Sequence, residues 1–392
     1  MKVQLEQLDL LQPWPAIKLR EGCREVRVLL RLGHLPVTQF GMRPRARVIE
    51  PEALRRRLAR SKTVRKAILG ALLHEGLEAG GDWATMLGAG DGTPQAMGDV
   101  ATFRDKDWRR FVGEQLLRPE GLGAPYSDWV AGAQQRQARR PMPAVTVLVC
   151  TADRAELLEQ CLRSLRELDY PNYRILVADN SRHPLPTRAV AEKAGVDYLR
   201  VARRGKTVAM NAALEEIDTE WIAMTDDDCC PEPMWLRELV GAIADDRCRC
   251  VTGLVLPAKL EDAAEIAFET YGGLGRGYAP AFYDRHWLTH AHLKVPQTWW
   301  IGAGANMLLH GPTLRELGGY DEDLGPGRPG GPCEDIDLYY RLLRRGYTIH
   351  YTPRSLVQHY HRATPEALRH QLHSYGVAHT VYHWKMLWRF GD

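Results

Sequence analysis

Hydrophobic positions change period along this chain. Residues 25–42 alternate apolar and polar, as in Val26, Arg27, Val28 and Val37, Thr38, Gln39, Phe40, around Gly33 and His34, which predicts a hairpin. Over 52–77 the spacing becomes helical, with Leu54, Leu58, Ile68 and Leu72 in step. Residues 80–125 are rich in Gly and Pro and yield no assignment, and the Gln/Arg-rich stretch 131–143 reads as a linker. After it the pattern is regular. Strands are predicted at 145–150, 173–178, 198–201 and 221–225, and helices at 156–168, 187–194 and 207–217. Strands alternating with helices of this length predict βαβ units and a parallel sheet.

Ligands bind such sheets at the carboxyl ends of the strands. Thr151, Asp153 and Arg154 fall at one end, Asp179 at another, and Asp226, Asp227 and Asp228 at a third. Three adjacent carboxylates repel one another unless something positive sits among them. A divalent cation supplies that charge, and hard cations take carboxylate oxygens. A metal bridging carboxylates to a pyrophosphate is what a nucleotide-diphosphate site requires; a solvated acidic turn before Pro231 is the simpler alternative. No GxGxxG or GxxxxGK[ST] follows the first strand, which excludes a dinucleotide fingerprint and a P-loop.

Arg203, Arg204 and Lys206 precede a helix that carries Asn211. A lysine there opposes the helix dipole unless an anion is bound, so either a phosphate sits here or this is a basic loop tip. Glu334 and Asp335 follow a Gly/Pro-rich loop and begin a helix with Ile336, Leu338, Tyr339, Leu342 and Leu343 in step. Such acids stabilise the helix dipole, and one could act as general base on an acceptor hydroxyl. His359 and His361 share a face if their segment is extended: a half-buried pair, or a zinc site with His350. Trp299 and Trp300 precede a flexible run containing Gly304 and Asn306, and form either a sugar-stacking wall or core.

At 392 residues the chain is long enough for two domains, and a net charge of +3 gives no argument for nucleic acid. Ten Lys/Arg against two Glu between Arg43 and Lys66 mark a solvated helix face or an anionic contact. Eight cysteines without a CxxC exclude a zinc knuckle and point to a reduced, cytoplasmic setting. No apolar run is long enough to span a membrane, and residues 1–11 lack a signal core. Near the C-terminus, Tyr382, Trp384, Leu387, Trp388 and Phe390 mix with Lys385 and Arg389. That mixture suits a helix on the inner face of a membrane; a core helix with Val381, Trp384, Leu387 and Trp388 as its buried stripe is the alternative.

The motifs that run in order from Thr151, Asp153 and Arg154 through Asp179, Lys206, Asn211, the Asp226–Asp228 turn, Gly304 to Met307, Gly318 to Asp321, Cys333 to Leu338 and His359 resemble those of family 2 glycosyltransferases. The resemblance implies a GT-A fold: an α/β domain with a mixed, mainly parallel sheet flanked by helices, over 144–362. A smaller N-terminal α+β accessory domain (1–130), the linker (131–143) and a C-terminal helical extension (363–392) complete the expected organisation. The implied reaction moves one hexosyl or N-acetylhexosaminyl unit, with inversion, from a nucleotide-diphospho-sugar, UDP-sugars favoured, to an acceptor that is a glycan, a lipid-linked molecule or a small molecule.

By position, Asp179 would bind the base, and Thr151, Asp153 and Arg154 would frame the nucleotide with Lys206, Asn211 and Asp227. Asp226 and Asp228 would form the DXD pair that holds Mn2+ or Mg2+, Asp228 directly, with His359 near the metal. Asp335 would be the base, helped by Glu334, and Trp299, Trp300, Gly304 and Asn306 would face the acceptor. The stretch 256–299 departs from the family pattern, as does the lack of a QxxRW motif and of spanning helices, which favours single-sugar addition over polymer synthesis. A non-catalytic sugar-nucleotide binder and a sugar-nucleotide pyrophosphorylase are the rival readings.

Overall fold

The computed structural model describes residues 2–79, 117, 120–121, 142–290 and 297–391. Most of 80–125 and all but the end of the expected linker lie outside the described residues. The chain divides into two compact units, 1–140 with 277–279, and 141–276 with 280–392.

The first unit contains β1 (Lys2–Asp9), β2 (Ile17–Lys18), β3 (Cys23–Leu32), β4 (Leu35–Met42), β5 (Val48–Ile49), α1 (Pro51–Arg60) and α2 (Lys62–Ala79). The expected hairpin is β3 and β4, antiparallel, with Gly33 at a φ of 62° in the turn. β1 lies parallel to β3, an element its charged sequence conceals. The expected single helix over 52–77 is two helices, because Ser61 is extended with ψ 113°. Leu54, Leu58 and Ile68 bury against Val26, Val28 and Leu30.

The second unit is built on a nine-stranded sheet. Its elements begin with β6 (Val145–Thr151), α3 (Ala155–Leu165), β7 (Tyr173–Asp179), α4 (Pro184–Ala194), β8 (Asp197–Arg200), α5 (Lys206–Glu216) and β9 (Trp221–Asp226). They continue with β10 (Cys229–Pro231), α6 (Trp235–Gly241), β11 (Cys248–Pro257), α7 (Ala263–Tyr271), β12 (Ala281–Tyr283) and α8 (Arg285–His290). The last are a 3₁₀ turn (Thr298–Trp300), β13 (Met307–His310), α9 (Gly311–Glu316), α10 (Glu334–Arg344), β14 (Thr348–His359) and α11 (Pro365–Phe390). The strand order is β10-β14-β11-β13-β9-β6-β7-β8, with β12 also paired to β14. The longest ladders, β6 with β7 and β9 and β11 with β14, are parallel, and β13 runs antiparallel between β9 and β11. The mixed α/β fold expected from the sequence is present.

All seven residues of β6 are buried, as a continuous apolar strand covered on both faces should be. Val145, Val147 and Val149 enter one core with Leu158 and Leu162 of α3; Leu148 and Cys150 enter the other with Ala209 and Met210 of α5. α4 starts three residues before the expected 187 because Pro184 suits a first helical position, and Gly195 ends it at a φ of 66°.

α11 is one helix of 26 residues that belongs to the second unit. Its buried stripe is Ala378, Tyr382 and Met386. This corrects the stripe expected from the sequence: Trp384, Leu387 and Trp388 are 67%, 53% and 83% exposed. Among the described residues no helix is long and apolar enough to cross a membrane. Tyr382→Ala should therefore cost about 3–5 kcal/mol, whereas Trp388→Ala should change stability by less than about 0.5 kcal/mol. Urea denaturation of the two variants measures the difference; equal losses would reverse the assignment of the faces.

Candidate active site

The carboxyl ends of β6, β7 and β9 bring the first group of residues together. β6 ends at Thr151, β7 at Asp179 and β9 at Asp226, and the ladder sets Thr151 opposite Asp179 and Cys150 opposite Asp226. The acidic turn after β9 is neutralised by side chains distant in sequence. Thr151 Oγ1 donates to Asp227 Oδ2 at 2.7 Å, and Arg154 Nη1 reaches Asp227 Oδ1 at 2.9 Å and Asp228 Oδ2 at 3.0 Å. Arg362 Nη1 donates to the same Asp228 oxygen at 3.2 Å. Asp226 pairs elsewhere, with Lys206 Nζ at 2.6 Å.

The three acids therefore have three different environments. Burial pushes the Asp227 carboxyl up to about 6, with Asp228 and Asp226 adding to the rise, against Arg154 and the Thr151 hydrogen bond. Burial acts on Asp228 in the same direction, but His359, Arg154 and Arg362 outweigh it and hold that carboxyl well below the usual range. Asp228 is thus a fixed anion.

A divalent cation fits one part of this arrangement. Asp228 Oδ2 is engaged by two guanidiniums, while Oδ1 faces His359 Nε2 at 3.4 Å. Among the described residues, Asp228, Cys229 and His359 form the one group of three with ligand atoms all within 4.8 Å of one another. The Cys229 thiol, held protonated by burial, is a soft and neutral neighbour that suits Mn2+ or Mg2+ poorly. Asp228 and His359 are the fitting pair. Asp226, expected as a second ligand, is committed to Lys206 and stands outside this group. The three-histidine zinc alternative does not assemble: His350 bonds to Ala242 O at 3.0 Å and packs on Phe282.

The second group comes from the start of α10. Lys206 Nζ lies 3.4 Å from Glu334 Oε1, so one ammonium joins the acidic turn to the α10 N-terminus. Burial disfavours that charge, yet Asp226 and Glu334 together hold the Lys206 pKa well above its usual value. Burial pushes Glu334 up to about 7 against the pull of Lys206. Asp335 is raised by burial as well, opposed by hydrogen bonds from Gly304 N to Oδ2 and Ile336 N to Oδ1, both 2.8 Å. A Cβ on Gly304 would lie 3.3 Å from Asp335 Oδ2, so the approach needs a glycine or a shifted carboxylate.

Other expected site residues have structural partners. Asp179 is fully buried, accepting from Ser181 N and Tyr198 Oη. Asp153 takes a φ of 58°, and its Oδ1 accepts from Arg182 N and His183 N. The Asn211 amide donates to Tyr320 O and accepts from Tyr320 N, which ties it to the backbone of that loop. Asn306 is saturated: it accepts from Trp235 Nε1 and donates to Leu254 O and Ser355 O, fully buried, so it cannot touch an acceptor. Trp299 packs edge-on against His379, and Trp300 is 55% exposed with Nε1 bonded to Gln297. Arg362 and Glu269 are the partners sequence reasoning missed; they lie 134 and 92 residues from the groups they touch.

Residues 146–291 match the Glycosyl transferase family 2 model and residues 221–390 match Glycosyl transferase family group 2. The Pre-mycofactocin glycosyltransferase of Mycobacterium tuberculosis is 27% identical over 224 residues, 56% of this chain and 43% of its own. The Probable glycosyltransferase YdaM of Bacillus subtilis is 23% identical over 240 residues, 56% of this chain and 51% of its own. The chain thus spans about half the length of the curated relatives it matches. Among solved structures, the mannosyltransferase PcManGT from Pyrobaculum calidifontis, in complex with GDP-Man and Mn2+, is similar at a TM-score of 0.42 and 20% identity, over 64% of this chain and 76% of that one. Two overlapping matches, which together run from the first strand of this sheet to the end of α11, place the chain in glycosyl transferase family 2.

Proposed function

We propose that the protein transfers a single sugar from a nucleotide-diphospho-sugar to an acceptor hydroxyl with inversion, assisted by Mn2+ or Mg2+. The observation that carries this reading is Lys206, whose ammonium bridges Asp226 and Glu334 and so joins the acidic turn to the α10 N-terminus. One turn suits a diphosphate with its cation; the other suits a base. A cation held by Asp228 and His359 would supply positive charge to the departing diphosphate. Arg154 and Arg362 fix the Asp228 carboxylate in orientation. Asp335 takes the acceptor proton, its carboxylate held by the Gly304 and Ile336 amides, and its burial raises proton affinity as a base requires. Attack from the face opposite the leaving group inverts the anomeric carbon.

A uridine diphosphate sugar is the first donor to test, and a reducing cytoplasm belongs to the same reading. The experiment is a panel of nucleotide-sugars assayed with Mn2+ for nucleoside diphosphate release, alone and with simple glycosides as acceptors. Metal-dependent release from one donor class supports the proposal; release unaffected by EDTA contradicts the metal-assisted mechanism.

A further inference from the structure

We infer that His361 and Glu269 are positioning residues that set His359 for the divalent cation, an inference that rests on the cation reading above. From the acidic turn a buried chain of polar contacts leads away from the sheet edge. Asp228 Oδ1 faces His359 Nε2 at 3.4 Å, His359 Nδ1 bonds His361 Nδ1 at 2.8 Å, and His361 Nε2 bonds Glu269 Oε1 at 2.8 Å. An imidazole free in solution can present either nitrogen. Here Nδ1 of His359 is occupied by His361, which leaves Nε2 aimed at Asp228 Oδ1, the oxygen opposite the one that Arg154 and Arg362 engage. A metal-bound histidine is held in this way, with its second nitrogen bonded to a group that fixes ring orientation.

The chain is built rather than incidental. The side chains of Asp228, His359 and His361 are almost wholly buried, and Glu269 is mostly so. The Phe268 ring packs edge-on against His361 with centroids 4.8 Å apart, which keeps water from its face. Gly273 makes room for the carboxylate: at a φ of 56°, a Cβ there would lie 2.4 Å from Glu269 Oε1. Any larger residue would push Glu269 off His361. Glu269 sits on α7, inside the stretch 256–299 that departs from the family pattern, so the chain ties that stretch to the cation ligand.

The test is Mn2+ binding to the full-length protein, followed by electron paramagnetic resonance with and without UDP. Glu269→Gln keeps the shape but puts an amide where the carboxylate was. It should weaken Mn2+ binding by about 10–100-fold while leaving the metal-free melting temperature unchanged. Ala264→Gly loosens the same helix at a buried position outside the polar chain. It should lower the melting temperature and leave Mn2+ affinity unchanged. Wild-type affinity in Glu269→Gln overturns the inference, as does an equal loss of affinity in Ala264→Gly, which would make the chain a brace for α7. Binding lost in Asp228→Asn but kept in Glu269→Gln overturns this inference alone. Failure of the wild-type protein to bind Mn2+ overturns both it and the cation reading.

Discussion

Asp335→Asn should lower turnover by roughly 10²–10⁴ while leaving donor affinity nearly unchanged. The carboxylate is anchored from both sides, by Gly304 N on Oδ2 and Ile336 N on Oδ1. The amide cannot take a proton, and its NH2 must face one of those two backbone donors. The substitution therefore removes the base and disturbs its seat, but the Lys206 bridge to Asp226 and Glu334 does not pass through it. Turnover and nucleotide affinity need separate measurement, by product formation and by calorimetry with UDP and Mn2+. If affinity collapses with turnover, Asp335 is a donor ligand or a structural residue and the base lies elsewhere.

Asp228→Asn should act on binding first. Asp228 is the anion on which Arg154, Arg362 and His359 converge, and among the described residues no other carboxylate joins His359 in a group of possible ligands. With an amide there, two guanidiniums share a neutral partner and the cation loses its charged ligand. Mn2+-dependent nucleotide affinity should fall by more than about tenfold, or 1.4 kcal/mol, and turnover should fall with it. Titration of UDP in the presence and absence of Mn2+ separates the metal-dependent part. An unchanged metal-dependent affinity would remove Asp228 from the site.

The first half of the sheet was readable because β6, β7 and β9 each carry a largely apolar run and alternate with helices of ordinary length. β10 and β13 are only three and four residues long and leave no period to detect. β1 carries too many charges to look like a strand. On α11 both candidate stripes have helical spacing, and hydrophobicity favours the tryptophans. Tyr382 is buried instead because its hydroxyl accepts a hydrogen bond from Thr298 Oγ1 at 2.9 Å, a partner that lies 84 residues away. The site divides in the same way. The acidic turn and the α10 N-terminus could be picked out from local pattern, but their junction through Lys206 depends on folding. So do the arginines at Asp228: Arg154 lies 74 residues from it. The role given to Asn306 failed because an amide in a short motif is as able to bond backbone as substrate, and here, fully buried, it bonds backbone.

Anomalous scattering from crystals grown with Mn2+ and UDP locates the cation directly. One strong peak is expected between Asp228 Oδ1 and His359 Nε2, with the diphosphate on the same ion and the α10 N-terminus facing it across Lys206. A peak at any other set of residues, or UDP bound with no manganese at Asp228, would contradict the cation reading.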